Sequence, residues 1–141
     1  MESQTASNKA LVLRYWEEVW NEGKLALIEE FLAPEVGNPD GVRAFISGWR
    51  EAFPGSRVVL DAVVAEGDLV VTRYHCRGNV HTNTWEASLQ GLSMAVPPTS
   101  KEIPDHGIAI FQVTDGKIVK TWAEWNQLEV AQQLGVVPLS G

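Results

Sequence analysis

The segment from His106 to Leu128 constrains the fold more than any other part of the chain. Two runs rich in β-branched and aromatic residues flank Asp115-Gly116, where glycine can adopt the positive φ that a tight hairpin turn requires. The second run leads into a helical pattern that ends at Gly135. The sequence therefore predicts a long β-hairpin followed by a C-terminal helix, and the preceding residues must cover one face of that hairpin.

Composition narrows the class of protein. A length of 141 residues is sufficient for one domain, spanning 1–141, with its own hydrophobic core. The hydrophobic fraction of 45% and the charged fraction of 21% are typical of a globular protein and too apolar for disorder. Cys76 is the single cysteine, which excludes an internal disulfide and disfavours a zinc site. The net charge of -7, without a basic cluster, makes nucleic acid an unexpected partner.

Two further features bear on location and binding. No apolar run approaches the roughly 20 residues of a membrane-spanning helix, and the N-terminal MESQTASNK lacks the apolar core of a signal peptide. We therefore expect a cytoplasmic protein without a membrane partner. The chain has six tryptophans, more than the packing of so small a core requires. Some of them are predicted to line a cavity.

Three helices are predicted before any strand. Ser7 or Asn8 is the expected cap of the first helix, which ends near Gly23. A second, short helix occupies 25–32. Asp40 is the expected cap of the third helix, which ends at 54–55, where proline and glycine follow each other.

Beyond Gly55 the hydrophobic pattern alternates, as in strands. Strands are predicted over 57–65 and 69–78, and a third over 85–96 with an interruption near Gly91. In the second strand Tyr74 and Cys76 take the drier face, whereas three basic residues take the wetter one: Arg73, His75 and Arg77. Helices followed by strands indicate an α+β domain, with helices on one face of a curved, mostly antiparallel sheet. Such a cone has one open end and an aromatic pocket.

Several segments resemble one known family. They are Tyr15-Trp-Glu-Glu-Val-Trp-Asn-Glu-Gly23, Gly41-Val-Arg-Ala-Phe45 leading to Phe53-Pro54, Pro97-Pro-Thr-Ser-Lys101, and Gly107-Ile-Ala-Ile-Phe111 with Asp115-Gly-Lys-Ile-Val119 and Trp122. In this order they are similar to SnoaL-like polyketide cyclases of the nuclear transport factor 2-like (NTF2-like, cystatin-like) superfamily. The resemblance covers nearly the whole chain. The fold hosts cyclases, isomerases, dehydratases, epoxide hydrolases and binding modules, so it does not by itself fix the chemistry.

The resemblance implies a single-domain cone, often a homodimer, that needs no metal or organic cofactor. In the family's aldol cyclases, an aspartate on the last strand moves a proton α to a carbonyl, helped by a polar residue on the neighbouring strand. The matching positions here are Ala123 and Ala109. Because alanine cannot transfer a proton, the aldol mechanism does not carry over to those positions.

The loop of the hairpin decides which face these alanines occupy. A three-residue loop at 114–116 with a glycine bulge places Ala109 opposite Thr121, whereas a two-residue loop places Ala109 opposite Trp122. We prefer the first, because both alanines then face one cavity. That register gives the cavity face Ala109, Phe111, Val119, Thr121 and Ala123.

Three polar residues are candidates for the site, each with a structural alternative. Asp105 follows the same alternation as Ala109, so it is either a displaced acid/base at the cavity mouth or a solvated carboxylate at the strand start. Tyr74 is either a substrate hydrogen-bond donor or a buried tyrosine whose hydroxyl is satisfied within the protein. Asn38 is either a polar residue at the rim or a loop cap.

Two histidines are assigned roles outside the chemistry. His106 is predicted to pair with Glu124 across the hairpin on the opposite face, as a surface or dimer-interface pair. His81 is expected to be structural.

Aromatic side chains on the helices that close the cone are expected to hold an extended, unsaturated substrate in a folded shape, which alone lowers a unimolecular barrier. The predicted catalytic residues are Tyr74 and Asp105. The predicted substrate-binding residues are Trp16, Trp20, Asn38, Trp49, Phe53, Cys76, Met94, Ala109, Phe111, Thr121 and Ala123.

Two classes of function fit these residues. The first is a small-molecule cyclase of polyketide-type secondary metabolism, acting by conformational or pericyclic ring closure such as a [4+2] cycloaddition, or by acid/base isomerase or aldol chemistry through Asp105 or Tyr74. The second is a protein that binds a hydrophobic small molecule without transforming it. An epoxide hydrolase is a third hypothesis; it would need a carboxylate, an arginine and a second carboxylate around one water, and Arg73 is predicted to face away from the cavity.

Overall fold

The computed structural model describes residues 3–89 and 92–137, in the order expected of an α+β domain. Its helices are α1 (Gln4–Arg14), which continues as a π-helix (Tyr15–Asn21), α2 (Ile28–Phe31), α3 (Pro39–Ala52) and α4 (Gln127–Gln133), with 3-10 turns at Leu25–Leu27 and Pro34–Val36. Its strands are β1 (Arg57–Glu66), β2 (Leu69–Arg77), β3 (Trp85–Leu89), β4 (Leu92–Val96), β5 (His106–Thr114) and β6 (Lys117–Trp125). The predicted fold class, with helices on one face of a curved antiparallel sheet, is confirmed.

The strands form two sheets. Four of them pair in the order β1-β2-β5-β6, all antiparallel, while β3 and β4 form a separate hairpin. The prediction of a single interrupted strand over 85–96 was therefore wrong: Trp85 pairs with Val96, so the chain reverses between them. The expected interruption at Gly91 lies outside the described residues.

Both helix caps were assigned to the wrong residue. Ser3 caps α1, because its Oγ accepts a hydrogen bond from the amide of Ala6 at 3.1 Å. Asn8, one of the two expected caps, is buried within the helix. Asn38 caps α3 by accepting from the amide of Asp40 at 2.9 Å. Pro39 occupies the first helical position, where its fixed φ suits the helix, and this moves the cap to the residue before it.

The long hairpin is confirmed, but its register is neither of the two predicted. Asp115 and Gly116 both have positive φ, of 50° and 74°, as in a two-residue type I′ turn. Val113 pairs with Ile118 next to the turn, whereas the following pairs are displaced by one residue, which is a β-bulge in β6.

The bulge determines which side chains face the helices. Beyond it, Ala109 lies opposite Ala123 and Phe111 opposite Thr121. Ile118, rather than the predicted Val119, takes the buried position, with no exposed surface. Ala109 and Ala123 therefore face the same side, as expected, although the register proposed for them was wrong.

The core lies between the helices and the concave face of the four-stranded sheet. Fully buried aliphatic side chains from both layers meet there: Val12, Val19, Ile28, Ile46, Val70, Val113 and Ile118. Tyr15 closes one end, with its ring centroid 5.8 Å from that of Phe31 and 5.9 Å from that of Phe111. The opposite end, where the π-helix and α3 approach β2 and β6, is not filled by side chains and contains a cavity.

Candidate active site

The cavity has a volume of about 220 Å³ and lies between the helices and the sheet. Its lining residues are Trp16, Trp20, Phe45, Trp49, Val58, Tyr74, Cys76, Trp85, Asp105, Ala109, Ala123 and Trp125. Seven of these twelve side chains are aromatic. The volume is below the range of roughly 300–1,000 Å³ typical of drug-sized ligand sites. The interior therefore suits the reacting part of a small molecule, with any longer chain leaving through the mouth.

The π-helix supplies two of the rings. Hydrogen bonds spanning five residues widen this helical segment, and such segments are frequent at functional sites. Trp16 and Trp20 both face the cavity from it, with ring centroids 5.6 Å apart. Trp20 also lies 5.5 Å from Trp49 of α3, and Trp16 lies 5.2 Å from Tyr74 of β2. The rings thus form one continuous wall from α3 to the sheet.

A buried hydroxyl fixes the position of this wall relative to the sheet. Thr72 of β2 is fully buried; its Oγ1 accepts from Trp16 Nε1 at 3.3 Å and donates to the carbonyl of Ala109 at 3.0 Å. Because a buried polar group without a partner is unfavourable, these two hydrogen bonds favour one orientation of the Trp16 indole.

The sheet side of the cavity is small and apolar at its centre. Ala109 and Ala123 are directly opposite each other on β5 and β6, and both line the cavity. Ala109 is buried, whereas Ala123 lies on the edge strand and is more exposed.

Three titratable side chains form the remaining part of the wall: Tyr74, Cys76 and Asp105. Burial raises the pKa of Asp105 to about 6, although the neighbouring His106 opposes the shift. Burial, and then the negative charge of Asp105, raise the pKa of Cys76 to about 12 and that of Tyr74 above its usual value. At neutral pH the phenol and the thiol are therefore protonated, and only Asp105 can exchange a proton.

Asp105 lies in the cavity because the residues on either side of it are held by one amide. The Nδ2 of Asn126 donates to the carbonyl of Pro104 at 2.8 Å, and its Oδ1 accepts from the amide of His106 at 3.0 Å. The carbonyl of Asp105 itself accepts from the amide of Cys76 at 2.8 Å. Asp105 therefore lines the cavity next to the start of β5 and is only partly exposed to solvent.

The structure brings eight of the predicted site residues to the cavity. These are Trp16, Trp20, Trp49, Tyr74, Cys76, Asp105, Ala109 and Ala123. Tyr74 and Cys76 take the drier face of β2, as expected, and both line the cavity.

Five predicted residues do not line it: Asn38, Phe53, Met94, Phe111 and Thr121. Asn38 is the exposed cap of α3. Phe53 and Phe111 support the wall from behind, because their rings pack on Trp49 at 6.2 Å and on Trp16 at 5.9 Å. Met94 lies on the separate hairpin, and Thr121, opposite Phe111 on the edge strand β6, is exposed and lies closer to the turn than Ala123.

Sequence reasoning did not assign four of the lining residues to the site: Phe45, Val58, Trp85 and Trp125. The alternation along β6 does give a signal for Trp125, which shares a face with Ala123. The helical spacing also places Phe45 four residues before Trp49, on the same face of α3. No comparable local signal existed for Trp85, because β3 belongs to a separate sheet.

The outer face of the sheet holds the remaining polar candidates. Arg73 pairs there with Asp61 at 2.8 Å, so it faces away from the cavity, as predicted. The predicted His106–Glu124 pair is wrong, because Glu124 lies opposite Ile108 and His106 instead approaches Glu129 at 3.4 Å. His81 does not lie on this face: it follows β2 and is fully buried, with its Nδ1 3.1 Å from the hydroxyl of Thr99.

The part of the chain that the structure describes carries neither a cluster of metal-ligating side chains nor a membrane-spanning helix. It contains no group of three or more histidine, cysteine, aspartate or glutamate side chains placed to hold a metal ion. Over the same ranges, none of the helices is long and apolar enough to span a membrane.

Comparison with known proteins gives a family and a fold. The family model for SnoaL-like polyketide cyclases matches residues 10–134. A search of curated proteins finds no significant match.

Among solved structures, the chain is similar to a proposed SnoaL-like polyketide cyclase from Jannaschia sp. CCS1, with 23% identity, coverage of 98% of this chain and 99% of that one, and a TM-score of 0.73. TsrD from Streptomyces laurentii has 25% identity, coverage of 96% and 100%, and a TM-score of 0.73. AclR from Streptomyces galilaeus, a proposed hydroxylase, has 24% identity, coverage of 98% and 87%, and a TM-score of 0.74. Similarity at this level shows the shared fold, and these descriptions include more than one chemistry.

Proposed function

The chain belongs to the SnoaL-like polyketide cyclase family, and from this premise we propose that it closes a ring within a small, largely apolar substrate bound in the aromatic cavity. One observation carries the proposal: seven aromatic side chains surround a space of about 220 Å³ whose sheet side presents Ala109 and Ala123. Such a space can hold an unsaturated chain in a compact conformation. The alanines leave room for that chain where the resemblance to aldol cyclases implies catalytic groups.

The proposed mechanism relies on positioning. Holding two reacting parts of one molecule in contact can supply about 7–11 kcal/mol of the barrier when the geometry is close to that of reaction. In a [4+2] closure two π bonds become two σ bonds and no atom is lost, so no protein group has to transfer a proton. Trp16, Trp20 and Trp49 would restrict the folded chain, while Tyr74 and Asp105 would orient its polar group.

A second mechanism within the same function is favoured by one specific observation. Asp105 has a pKa of about 6, which is close to the value that suits general acid/base catalysis at neutral pH. In this mechanism Asp105 would remove or donate the proton in an isomerisation or aldol closure, and Tyr74 would donate a hydrogen bond to the carbonyl oxygen.

The test is turnover of linear polyketide-like thioesters, followed by mass spectrometry. A product with the substrate's mass indicates cycloaddition, isomerisation or aldol addition, whereas loss of one water indicates aldol closure with dehydration. Asp105→Asn and Tyr74→Phe then separate the mechanisms: positioning predicts weaker substrate binding, seen as a higher KM, with kcat largely retained, whereas acid/base closure predicts loss of kcat in Asp105→Asn. Ligand binding by wild-type protein without any product would instead support the non-catalytic binder.

A further inference from the structure

The cavity contains a carboxylate, Asp105, and no cationic side chain among the described residues lines the cavity beside it; the neighbouring His106, which acts on Asp105 electrostatically, is not among the lining residues. Among the described lining residues, Asp105 is the only side chain that is ionised at neutral pH, and lysine, arginine and histidine are absent. The basic side chains next to Tyr74 and Asp105 in the sequence are engaged elsewhere: Arg73 pairs with Asp61 at 2.8 Å and His106 approaches Glu129 at 3.4 Å. A buried charge without a partner is unfavourable, so a ligand that supplies the opposite charge would be stabilised here.

The rest of the wall is suited to the same kind of ligand. Trp16, Trp20 and Trp49 form a continuous aromatic surface, with centroid distances of 5.6 Å and 5.5 Å, and Tyr74 extends it at 5.2 Å from Trp16. Aromatic faces attract cations within about 6 Å, most strongly when the cation is desolvated, and tryptophan is the best of them. A ligand bearing its own carboxylate would instead meet Asp105 without any compensating cation.

We propose that the substrate of this cavity carries a protonated or quaternary amine, which binds between Asp105 and the tryptophan rings. The inference rests on the proposed function in one respect, namely that the substrate binds in this cavity. It adds the chemical class of the group that Asp105 holds, and it assigns Asp105 the role of counter-ion to that group.

Charge and shape can be separated with two probes of nearly equal size. Phenyltrimethylammonium carries a quaternary nitrogen where tert-butylbenzene carries a carbon. Both can be titrated against the intrinsic fluorescence of the protein, because five of its six tryptophans line the cavity. At pH 8 we expect the ammonium to bind at least about tenfold more tightly, which corresponds to about 1.4 kcal/mol.

Two variants test whether Asp105 is the reason that the protein binds phenyltrimethylammonium more tightly than tert-butylbenzene, a difference that we call the ammonium preference. Asp105→Asn keeps the shape and removes the charge, so the ammonium preference should fall by about tenfold or more. Asp115→Asn, in the exposed hairpin turn, is the matched control and should leave it unchanged. Circular dichroism verifies that both variants are folded.

The affinity of the wild-type protein for the ammonium, relative to tert-butylbenzene, should also fall below about pH 6, as Asp105 becomes protonated. Tyr74 and Cys76 stay protonated throughout, whereas His106 and Glu129 face each other outside the cavity and remain in the Asp105→Asn variant. A pH effect that disappears in Asp105→Asn therefore belongs to Asp105.

The outcomes distinguish this inference from the proposed function. If tert-butylbenzene binds as tightly as the ammonium, or if Asp105→Asn still shows the wild-type ammonium preference, the amine inference is overturned. The proposed ring-closure function is not affected by either result. If neither probe changes the fluorescence of the wild-type protein, the cavity does not bind ligands of this size, and both proposals are overturned.

Discussion

Replacing Asp105 with asparagine should stabilise the fold, because the native carboxylate is held where its charge is poorly solvated. Its pKa of about 6, against an ordinary value of about 3.9, corresponds to about 3 kcal/mol of unfavourable free energy in the folded, ionised protein. Ionisation of Asp105 destabilises the folded protein, because the folded state binds the proton more tightly than the unfolded state does. The penalty is therefore absent below about pH 4, grows between about pH 4 and 6, and is complete above pH 6.

Chemical denaturation of Asp105→Asn and wild-type protein at several pH values measures this difference directly. We expect the variant to be more stable by about 1–3 kcal/mol at pH 8, with the lower limit reflecting the buried amide that replaces the carboxylate. The gain should fall below about 1 kcal/mol at pH 4. Asp115→Asn is the matched control. A variant no more stable than wild type at pH 8, or a gain that does not change with pH, would refute the claim that burial governs Asp105.

Two other substitutions test the elements that hold the site. Gly107→Ala would place a Cβ too close to the carbonyl oxygen of Glu124, so we expect chemical denaturation to show a free energy of unfolding lower by about 2–4 kcal/mol. Gly48→Ala is the control: its helical site has open space around it, so the free energy of unfolding should rise by up to about 1 kcal/mol. Asn126→Ala removes the amide that holds both neighbours of Asp105, so the carboxylate should become more solvated and its pKa should fall toward 4, as measured by carboxyl NMR titration. An unchanged pKa in Asn126→Ala would show that the amide does not position Asp105.

The parts of the fold that local pattern determines were predictable from the sequence. Alternating β-branched residues and Gly116 located the long hairpin, and the helical spacing of apolar residues located three of the helices. The register was not predictable, because a distant contact accompanies the bulge. The amide of Ala33 donates to the carbonyl of Ile118 at 2.8 Å, and this pairing across 85 residues leaves no trace in the local pattern.

In the candidate site, too, the residues set by local pattern were predictable and those set by distant contacts were not. The number of tryptophans indicated an aromatic cavity, and alternation placed Tyr74 and Cys76 on its wall. Alternation with Ala109 offered a place for Asp105 at the cavity mouth, but the sequence could not choose between that place and a solvated carboxylate, since aspartate is usually exposed. The position of Asp105 depends on the side chain of Asn126, which follows Asp105 by 21 residues and lies beyond the end of β6. Trp85 was missed because the β3–β4 hairpin reaches the cavity from outside the main sheet.

The central claim is that substrate occupies the wall formed by Ala109 and Ala123, and bulk introduced there tests it most directly. The measurement is the single-turnover rate of ring closure on a substrate accepted by the wild-type protein, with circular dichroism to confirm folding. Ala123→Leu fills the open side of that wall, and Glu124→Leu, the next residue on the opposite face of β6, is the matched control. Ala123→Asp restores a carboxylate beside an apolar chain and should not accelerate the reaction, because the charge would have to be desolvated. We predict a sharp fall in rate for folded Ala123→Leu and an unchanged rate for Glu124→Leu. A folded Ala123→Leu protein with the wild-type rate would contradict the account, since the substrate would then not contact this wall.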